Sequence, residues 1–167
     1  MVKRRRDMSQ LKLVAQITPH VEIEDVRLLR MSARVYTNGL AEAGKKVRLR
    51  LSSKSRCKQI GTKLSAEVRF ALIGVQEQDV TKKVVDLSAL LEISYRLTKE
   101  VELTPKQLSA FGKLNVLYNA WPYWREFVQN TVARMALPPL VVPVFRIARS
   151  QIGQTEPKKD LTEAHNP

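Results

Sequence analysis

The side chains that could perform chemistry in this sequence are few and scattered. The single cysteine, Cys57, lies in a basic stretch that could lower its pKa and make the thiol a nucleophile. The two histidines, His20 and His165, have no cysteine or acidic partner at metal-ligand spacing. The six glycines form no phosphate-binding loop. Since no base or orienting group accompanies Cys57, an ordinary structural thiol is favoured, and we predict a protein that is not an enzyme and uses no metal or cofactor.

Positive charge is the strongest chemical signal. The formal net charge is +13, and the window from Lys45 to Arg69 holds nine basic residues against one acid, Glu67. A field of this sign attracts nucleic acid, anionic membrane or acidic protein segments. The basic patch that we consider as a binding surface consists of Lys45, Lys46, Arg48, Arg50, Lys54, Arg56 and Lys58.

A nucleic-acid-binding module is one interpretation of this patch. Basic side chains along a strand could follow a phosphate backbone, with an affinity that falls steeply as salt rises. Single-strand binders usually add aromatic side chains on the same face for base stacking. The window contains no aromatic residue before Phe70, which follows the inward alternation of its strand. A solvated basic face that keeps the protein in solution explains the same residues equally well.

The bulk properties indicate one domain of a cytoplasmic protein. The chain has 167 residues, of which 44% are hydrophobic, enough for a packed core. No apolar run approaches the about 18 residues that a membrane span needs. The basic start resembles a signal peptide only briefly, because Lys12, Gln16 and Pro19 interrupt the apolar region. One cysteine permits no internal disulfide, which fits a reducing compartment.

The hydrophobic periodicity predicts four strands. Residues 1–19 are expected to form an arm or a short helix, and strands are expected at about 21–36, 46–54, 63–76 and 81–97, with a bulge near Asp25. The last strand shows the clearest period of two, with apolar residues at Val85, Leu87, Ala89, Leu91, Ile93, Tyr95 and Leu97. Short connections between these strands favour antiparallel neighbours.

A helical pattern comes after the strands. Thr104 and Gln107 predict a capping box with Pro105 at the first helical position, so a helix is expected at about 105–136. Pro122 should kink this helix, and Leu108, Phe111, Asn115 and Tyr118 should share one side. Residues 148–167 are expected to form a flexible polar tail. The predicted fold class is therefore α+β, with a four-stranded antiparallel sheet followed by a long, Pro-kinked helix.

Two segments resemble a known family. The run Trp121-Pro122-Tyr123-Trp124-Arg125-Glu126 resembles the aromatic-Pro-Tyr-x-Arg-Glu element of the SecB chaperones, and the stretch from Ala133 through Pro138-Pro139-Leu140 to Phe145 resembles the next segment of that family. Val21–Arg30 is similar to the first strand of SecB-like proteins, in particular those associated with toxin–antitoxin pairs. The resemblance extends over residues 20–147 and implies a SecB-like domain there.

The resemblance implies an ATP-independent holdase that binds unfolded or pre-secretory polypeptides. It also implies a homotetramer, built as a dimer of dimers, with clients in grooves between the sheet edge, the long helix and the loop after it. Carried onto this chain, that loop is Leu137–Phe145. The expected client-binding residues are Trp121, Tyr123, Trp124, Phe127, Leu137, Leu140, Val142 and Phe145. For Trp124, Phe127, Val128 and Val132, a core-facing helix stripe is the favoured alternative.

The sequence departs from the export chaperone in charge and at its end. In that family an acidic sheet face docks the translocation motor SecA, whereas the corresponding strand here is basic, and no second helix is indicated after Phe145. These departures put delivery to SecA in question. A stand-alone holdase, or one dedicated to an antitoxin, fits the charge as well.

Overall fold

The structure, a computed structural model, describes residues 2–36 and 46–145. Two helical regions flank four strands. The elements in chain order are helix α1 (Val2–Ile17), a 3₁₀ turn (Thr18–His20), strands β1 (Val21–Val35), β2 (Val47–Ile60), β3 (Lys63–Gln76) and β4 (Lys83–Leu97), helix α2 (Pro105–Phe111), a π turn (Gly112–Val116) and helix α3 (Leu117–Arg134). Lys45 and the tail predicted at 148–167 lie outside the described residues.

The four strands form one antiparallel sheet in the order β1-β4-β3-β2. The predicted α+β fold class is therefore confirmed. Strands β2, β3 and β4 follow one another as a meander, and β1 joins the sheet beside β4. The bulge predicted near Asp25 is confirmed by a register shift between Ile23 and Asp25, and a second shift separates Leu28 from Arg30.

Strand β2 is longer than the 46–54 predicted for it. It pairs with β3 over its whole length, from Val47 opposite Gln76 to Ile60 opposite Lys63. The prediction stopped early because the apolar alternation ends at Leu51 and polar residues come after it. The turn between β2 and β3 has only two residues, and Gly61 supplies the positive φ of 58° that such a tight hairpin requires.

The core lies between one face of the two middle strands and the long helical region. All seven apolar positions predicted for β4 are buried, and so are Leu64, Ala66, Val68, Phe70 and Leu72 of β3. Helix α3 contributes Trp124, whose ring stacks on Phe70 with the ring centroids 5.3 Å apart. Val128 and Val132 extend the same buried stripe along α3. The residues that the sequence favours as a core-facing helix stripe are therefore buried in the core, except Phe127, which is only half-buried.

The helical region begins at the predicted capping box and contains an unpredicted π turn. The Thr104 side chain accepts a hydrogen bond from the Gln107 backbone, and the Gln107 side chain accepts one from the Thr104 backbone. Helix α3 runs with Pro122 in its interior. The buried stripe comprises Phe111, Val116, Ala120, Trp124, Val128 and Val132. Its first two members are five residues apart, and each later one comes four residues after the one before it. The prediction that Tyr118 shares a side with Phe111 is wrong, because the π turn inserts one residue between them.

The expected N-terminal arm is a helix of 16 residues that packs against the start of the long helical region. Val14 forms a small second cluster with Ala110 and Leu114. Ile17 joins the main core. Asn115 donates a hydrogen bond from Nδ2 to the Thr18 hydroxyl at 3.0 Å, which fixes the end of α1 beside the π turn.

Candidate functional site

An open apolar groove lies between β1 and α3. The register with β4 directs alternate β1 side chains towards the helix side of the sheet, with Leu28 opposite Leu91 and Met31 opposite Ala89. The β4 residues are buried, but Leu28 remains 50% exposed and Met31 63% exposed because α3 does not extend over β1. The groove has a volume of about 540 Å³ and is lined by Val26, Leu28, Met31, Ser32, Ala33, Ala89, Leu91, Tyr123, Glu126, Phe127, Asn130, Thr131 and Arg134.

A second recess adjoins this groove. It has a volume of about 430 Å³ and is lined by Ile23, Val26, Tyr118, Asn119, Trp121, Pro122, Tyr123, Arg125, Val144 and Phe145. The two recesses share Val26 and Tyr123, so the apolar surface is continuous from the end of α3 to the loop after it. An extended chain could contact both recesses at once.

Two hydrogen bonds and a ring contact hold the loop after α3 against the helix. Trp121 Nε1 donates to the Pro143 carbonyl oxygen at 2.7 Å, and Arg125 Nε donates to the Val142 carbonyl oxygen at 2.8 Å. The Phe145 ring lies 5.3 Å from the Trp121 ring, centroid to centroid. These contacts give the loop a defined position beside the second recess, although Pro138, Pro139 and Pro143 leave it without regular secondary structure.

The structure divides the predicted client-binding residues into three groups. Tyr123 lines both recesses, Phe127 lines the first, and Trp121 and Phe145 line the second. Trp124 and Val142 are a correction to the predicted set, because both are buried in the core and line neither recess. Leu137 and Leu140 are half-buried, pack against the core and line neither of these recesses.

Sequence reasoning missed the contribution of β1 to this surface. In the sequence, Ile23, Leu28 and Met31 are ordinary residues of a strand with one buried face. The two register shifts of β1 break their alternation, so the sequence does not show that they share one side, and it carries no information on how far the helix reaches. The clue that the sequence offers is the length of the strand alone, since one helix about 10 Å wide cannot cover four long strands.

The basic patch lies on the opposite face of the sheet. Arg48, Arg50, Lys54, Arg56 and Lys58 alternate with the helix-side residues of β2 and are all exposed, and Lys46 is exposed just before the strand. A shallow recess of about 160 Å³ on this face is lined by Lys54, Arg56, Glu67, Arg69 and Leu90. The sheet therefore separates an apolar surface from a positively charged one.

Cys57 is a structural thiol. Its side chain packs against the core, and burial raises the pKa of the thiol from its ordinary value of 9.0 to about 11. This burial agrees with the structural thiol favoured from the sequence, because loss of solvation raises the pKa and the charges of the basic neighbours lie on the other face of the sheet. Within residues 2–36 and 46–145, no group of three or more His, Cys, Asp or Glu residues could hold a metal ion. In the same ranges no helix is both long enough and apolar enough to cross a membrane.

A four-stranded antiparallel sheet followed by a 30-residue helical region is the SecB-like fold, as the resemblance implied. No family model matches the sequence, and no curated protein does. Among solved structures, the chain is similar to the SecB-like chaperone Rv1957 of Mycobacterium tuberculosis, in complex with a ChAD peptide from the antitoxin HigA1, Rv1956. The two share 19% identity and a TM-score of 0.70, over 81% of this chain and 97% of the other. A protein of unknown function from Streptococcus agalactiae matches with 8% identity and a TM-score of 0.47, over 74% of this chain and 96% of that one.

Proposed function

We propose that the protein is an ATP-independent molecular chaperone that holds unfolded polypeptides. The observation that carries this proposal is the open apolar groove between β1 and α3, continued by the recess at Tyr118 and Phe145. Burial of apolar surface yields about 25 cal/mol per Å² and requires no particular direction. A long apolar groove therefore retains segments of many sequences, and it needs no chemical step to do so.

The preferred client is an extended apolar segment with a few polar side chains. The groove lining offers apolar β1 residues and the Tyr123 ring, and it also includes the polar residues Glu126, Asn130 and Arg134. The M. tuberculosis neighbour is bound to an antitoxin peptide, and we propose an antitoxin segment as one specific client here. Pre-secretory chains in protein export are the broader alternative. In that case SecA would have to bind a basic sheet face instead of the acidic face of the export chaperone.

We propose that the working form is a cytoplasmic homotetramer assembled as a dimer of dimers. Leu29 on the edge strand β1, which is 48% exposed and lines neither recess, supports an assembled form, because association would remove this apolar side chain from water. Light scattering coupled to size exclusion should give a mass of about four chains. A monomer at micromolar concentration would contradict this part of the proposal and leave client holding to be judged separately.

Aggregation suppression tests the holdase function. A chemically unfolded, slow-folding protein is diluted into physiological salt without nucleotide, with and without the chain. We expect equimolar wild-type protein to suppress light scattering. Replacing the groove residues by aspartate, as Tyr123→Asp or Met31→Asp, should raise the ratio of chaperone to client needed for the same suppression about tenfold, because a charge in the groove opposes apolar burial.

The matched control is Val80→Asp, which places the same charge outside the groove on an apolar residue about as exposed as Tyr123. This variant should suppress aggregation as the wild type does. Circular dichroism and the oligomeric mass of all three variants must match those of the wild type. If the groove variants with unchanged mass suppress aggregation normally, the groove is not the client site. If the wild type suppresses no client, the holdase proposal is wrong.

A further inference from the structure

Two matching triplets of polar residues lie on the face of the sheet that is turned away from the helices, which we call the outer face. Each edge strand carries one triplet, in which two cations flank a serine. The triplets are Arg30, Ser32 and Arg34 on β1 and Arg50, Ser52 and Lys54 on β2, and all of these residues are exposed. Because alternate residues of a strand share one side, the three side chains of each triplet point the same way.

The strand register holds the two triplets level with each other. From β1 to β2, the residues paired at the level of the two serines are Ser32, Ser88, Ala71 and Ser52. A row of small side chains thus crosses the sheet from one triplet to the other. The edge strands are three strand spacings apart, which is about 14 Å, and the two cations of a triplet lie about 13 Å apart along their strand.

The positive charges of the triplets are not neutralised by neighbouring carboxylates. In residues 2–36 and 46–145, no acidic side chain lies within 4.0 Å of the triplet cations or of Arg69, which lies opposite Lys54. Asp86, which lies opposite Arg34, is paired with Lys83 at 3.0 Å. This area therefore has an excess of unpaired cations, and a field of that sign attracts phosphate groups.

We propose that the outer face binds double-stranded DNA through both of its phosphate backbones, independently of base sequence. Each triplet contacts one backbone. Its two cations pair with phosphates, and its serine hydroxyl donates a hydrogen bond to a phosphate oxygen between them. The separation of about 14 Å between the edge strands is comparable with the major groove of B-DNA, which is about 12 Å wide and is bordered by the two backbones.

A duplex fits this face better than a single strand or a second copy of the protein. Single-strand binders provide aromatic platforms on which successive bases stack. Among the described residues, the ring beside this face is Tyr36, which is half-buried and has the cations of Arg34 and Lys83 each 6.0 Å from its centroid. Phe70 and Tyr95 are buried in the core. A second copy of the outer face would bring like charges together.

Fluorescence anisotropy with a labelled DNA duplex of about 20 base pairs, or two helical turns, tests the proposal. We expect the duplex to bind at least about tenfold more tightly than either of its strands alone, because only the duplex holds two backbones at a fixed distance. Four phosphate contacts predict that the logarithm of the binding constant falls with the logarithm of salt concentration with a slope of about −4. A flat slope, or equal binding of the single strand, would overturn the proposal.

Two double variants separate the effect of this face from that of net charge. Arg30→Gln with Lys54→Gln removes one cation from each triplet, and it should weaken duplex binding at least about tenfold and reduce the slope to about −2. Lys106→Gln with Lys113→Gln removes the same charge from exposed positions of the helical region, and it should change binding less than about twofold. Equal losses in both double variants, with unchanged circular dichroism, would mean that the DNA responds only to net charge.

Single substitutions on the two edges test the contact with both backbones. Arg34→Gln on β1 and Arg50→Gln on β2 should each weaken the duplex about fivefold, since each removes one phosphate contact. If only the β2 substitution weakens binding, a single backbone is held and the proposal is wrong.

This site lies on the opposite side of the sheet from the client groove, so the two can fail separately. Tyr123→Asp should impair aggregation suppression and leave duplex binding intact, whereas the double variant of Arg30 and Lys54 should do the reverse. Vesicles of phosphatidylglycerol are the remaining probe. If the protein binds them more tightly than the duplex and loses this binding in the same double variant, the outer face binds an anionic membrane and the DNA proposal is wrong.

Discussion

The two middle strands and the two edge strands of the sheet all direct apolar side chains towards the helix side, but those side chains have different surroundings. In β3 and β4 the apolar row is covered by α3, and Phe70, Leu87 and Ile93 have no exposed surface. In β1 and β2 the corresponding rows, such as Met31 and Leu49, stay about half in water. Alternation therefore specifies which way a side chain points, whereas the width of the covering layer decides whether that side chain stabilises the fold or stays available to bind.

The largest expected effect is on stability in the middle of the sheet. Phe70 stacks on Trp124 and meets Trp121 edge to face, with ring centroids 5.3 and 5.7 Å apart. Phe70→Ala should lower the free energy of unfolding by about 3–5 kcal/mol, because it removes buried surface and leaves a cavity. Leu49→Ala on the edge should cost about 1 kcal/mol or less. Urea unfolding followed by circular dichroism measures both, and equal losses would contradict the division into covered and uncovered rows.

A smaller effect is expected on the free energy of unfolding at alkaline pH. It tests whether Cys57 of β2 is covered, unlike the exposed residues of the same strand. Burial raises the pKa of Cys57 to about 11 and that of Tyr95 to about 12, from ordinary values of 9.0 and 10.0. The unfolded chain thus loses the thiol proton first, so the free energy of unfolding should fall as pH rises from about 9 towards 11. In Cys57→Ala the fall between pH 9 and 10 should be reduced. The same decline in both proteins would show that Cys57 is not desolvated.

The smallest expected effect concerns the loop that partly lines the second recess. Trp121→Phe keeps an aromatic ring but removes the hydrogen bond to Pro143, which contributes about 1 kcal/mol. Limited proteolysis within 137–145 should therefore become about fivefold faster. Trp124→Phe is the matched control, because Trp124 Nε1 has no hydrogen-bond partner in the described part of the chain. Faster cleavage in both variants would mean that ring packing, rather than the hydrogen bond, holds the loop.

Much of the fold can be predicted from the sequence because local signals and global packing agree. The period of two in β4 and the capping box at Thr104 each depend on residues close in the chain, and both occur in the structure. The end of β2 at Ile60 depends instead on pairing with β3, which Ser52, Ser53 and Lys54 do not indicate.

The candidate site was predicted only in part, because some of its features also depend on residues that are distant in the chain. Tyr123 and Phe145 were found through a resemblance to known proteins and lie beside recesses. The β1 wall and the burial of Trp124 depend on where α3 crosses the sheet. That crossing is set by the packing of the whole core, which no short segment encodes.

The π turn at Gly112–Val116 has a consequence for comparing this chain with others of its fold. A π turn holds one residue more than the α-helix around it, while the helix on either side keeps its orientation. A chain with one residue fewer here could form an uninterrupted helix, with every buried position then at a spacing of four. Trp121 and Tyr123 would still face their present neighbours. A single-residue gap in an alignment at this turn therefore indicates an insertion absorbed by the helix, rather than a shift of the groove.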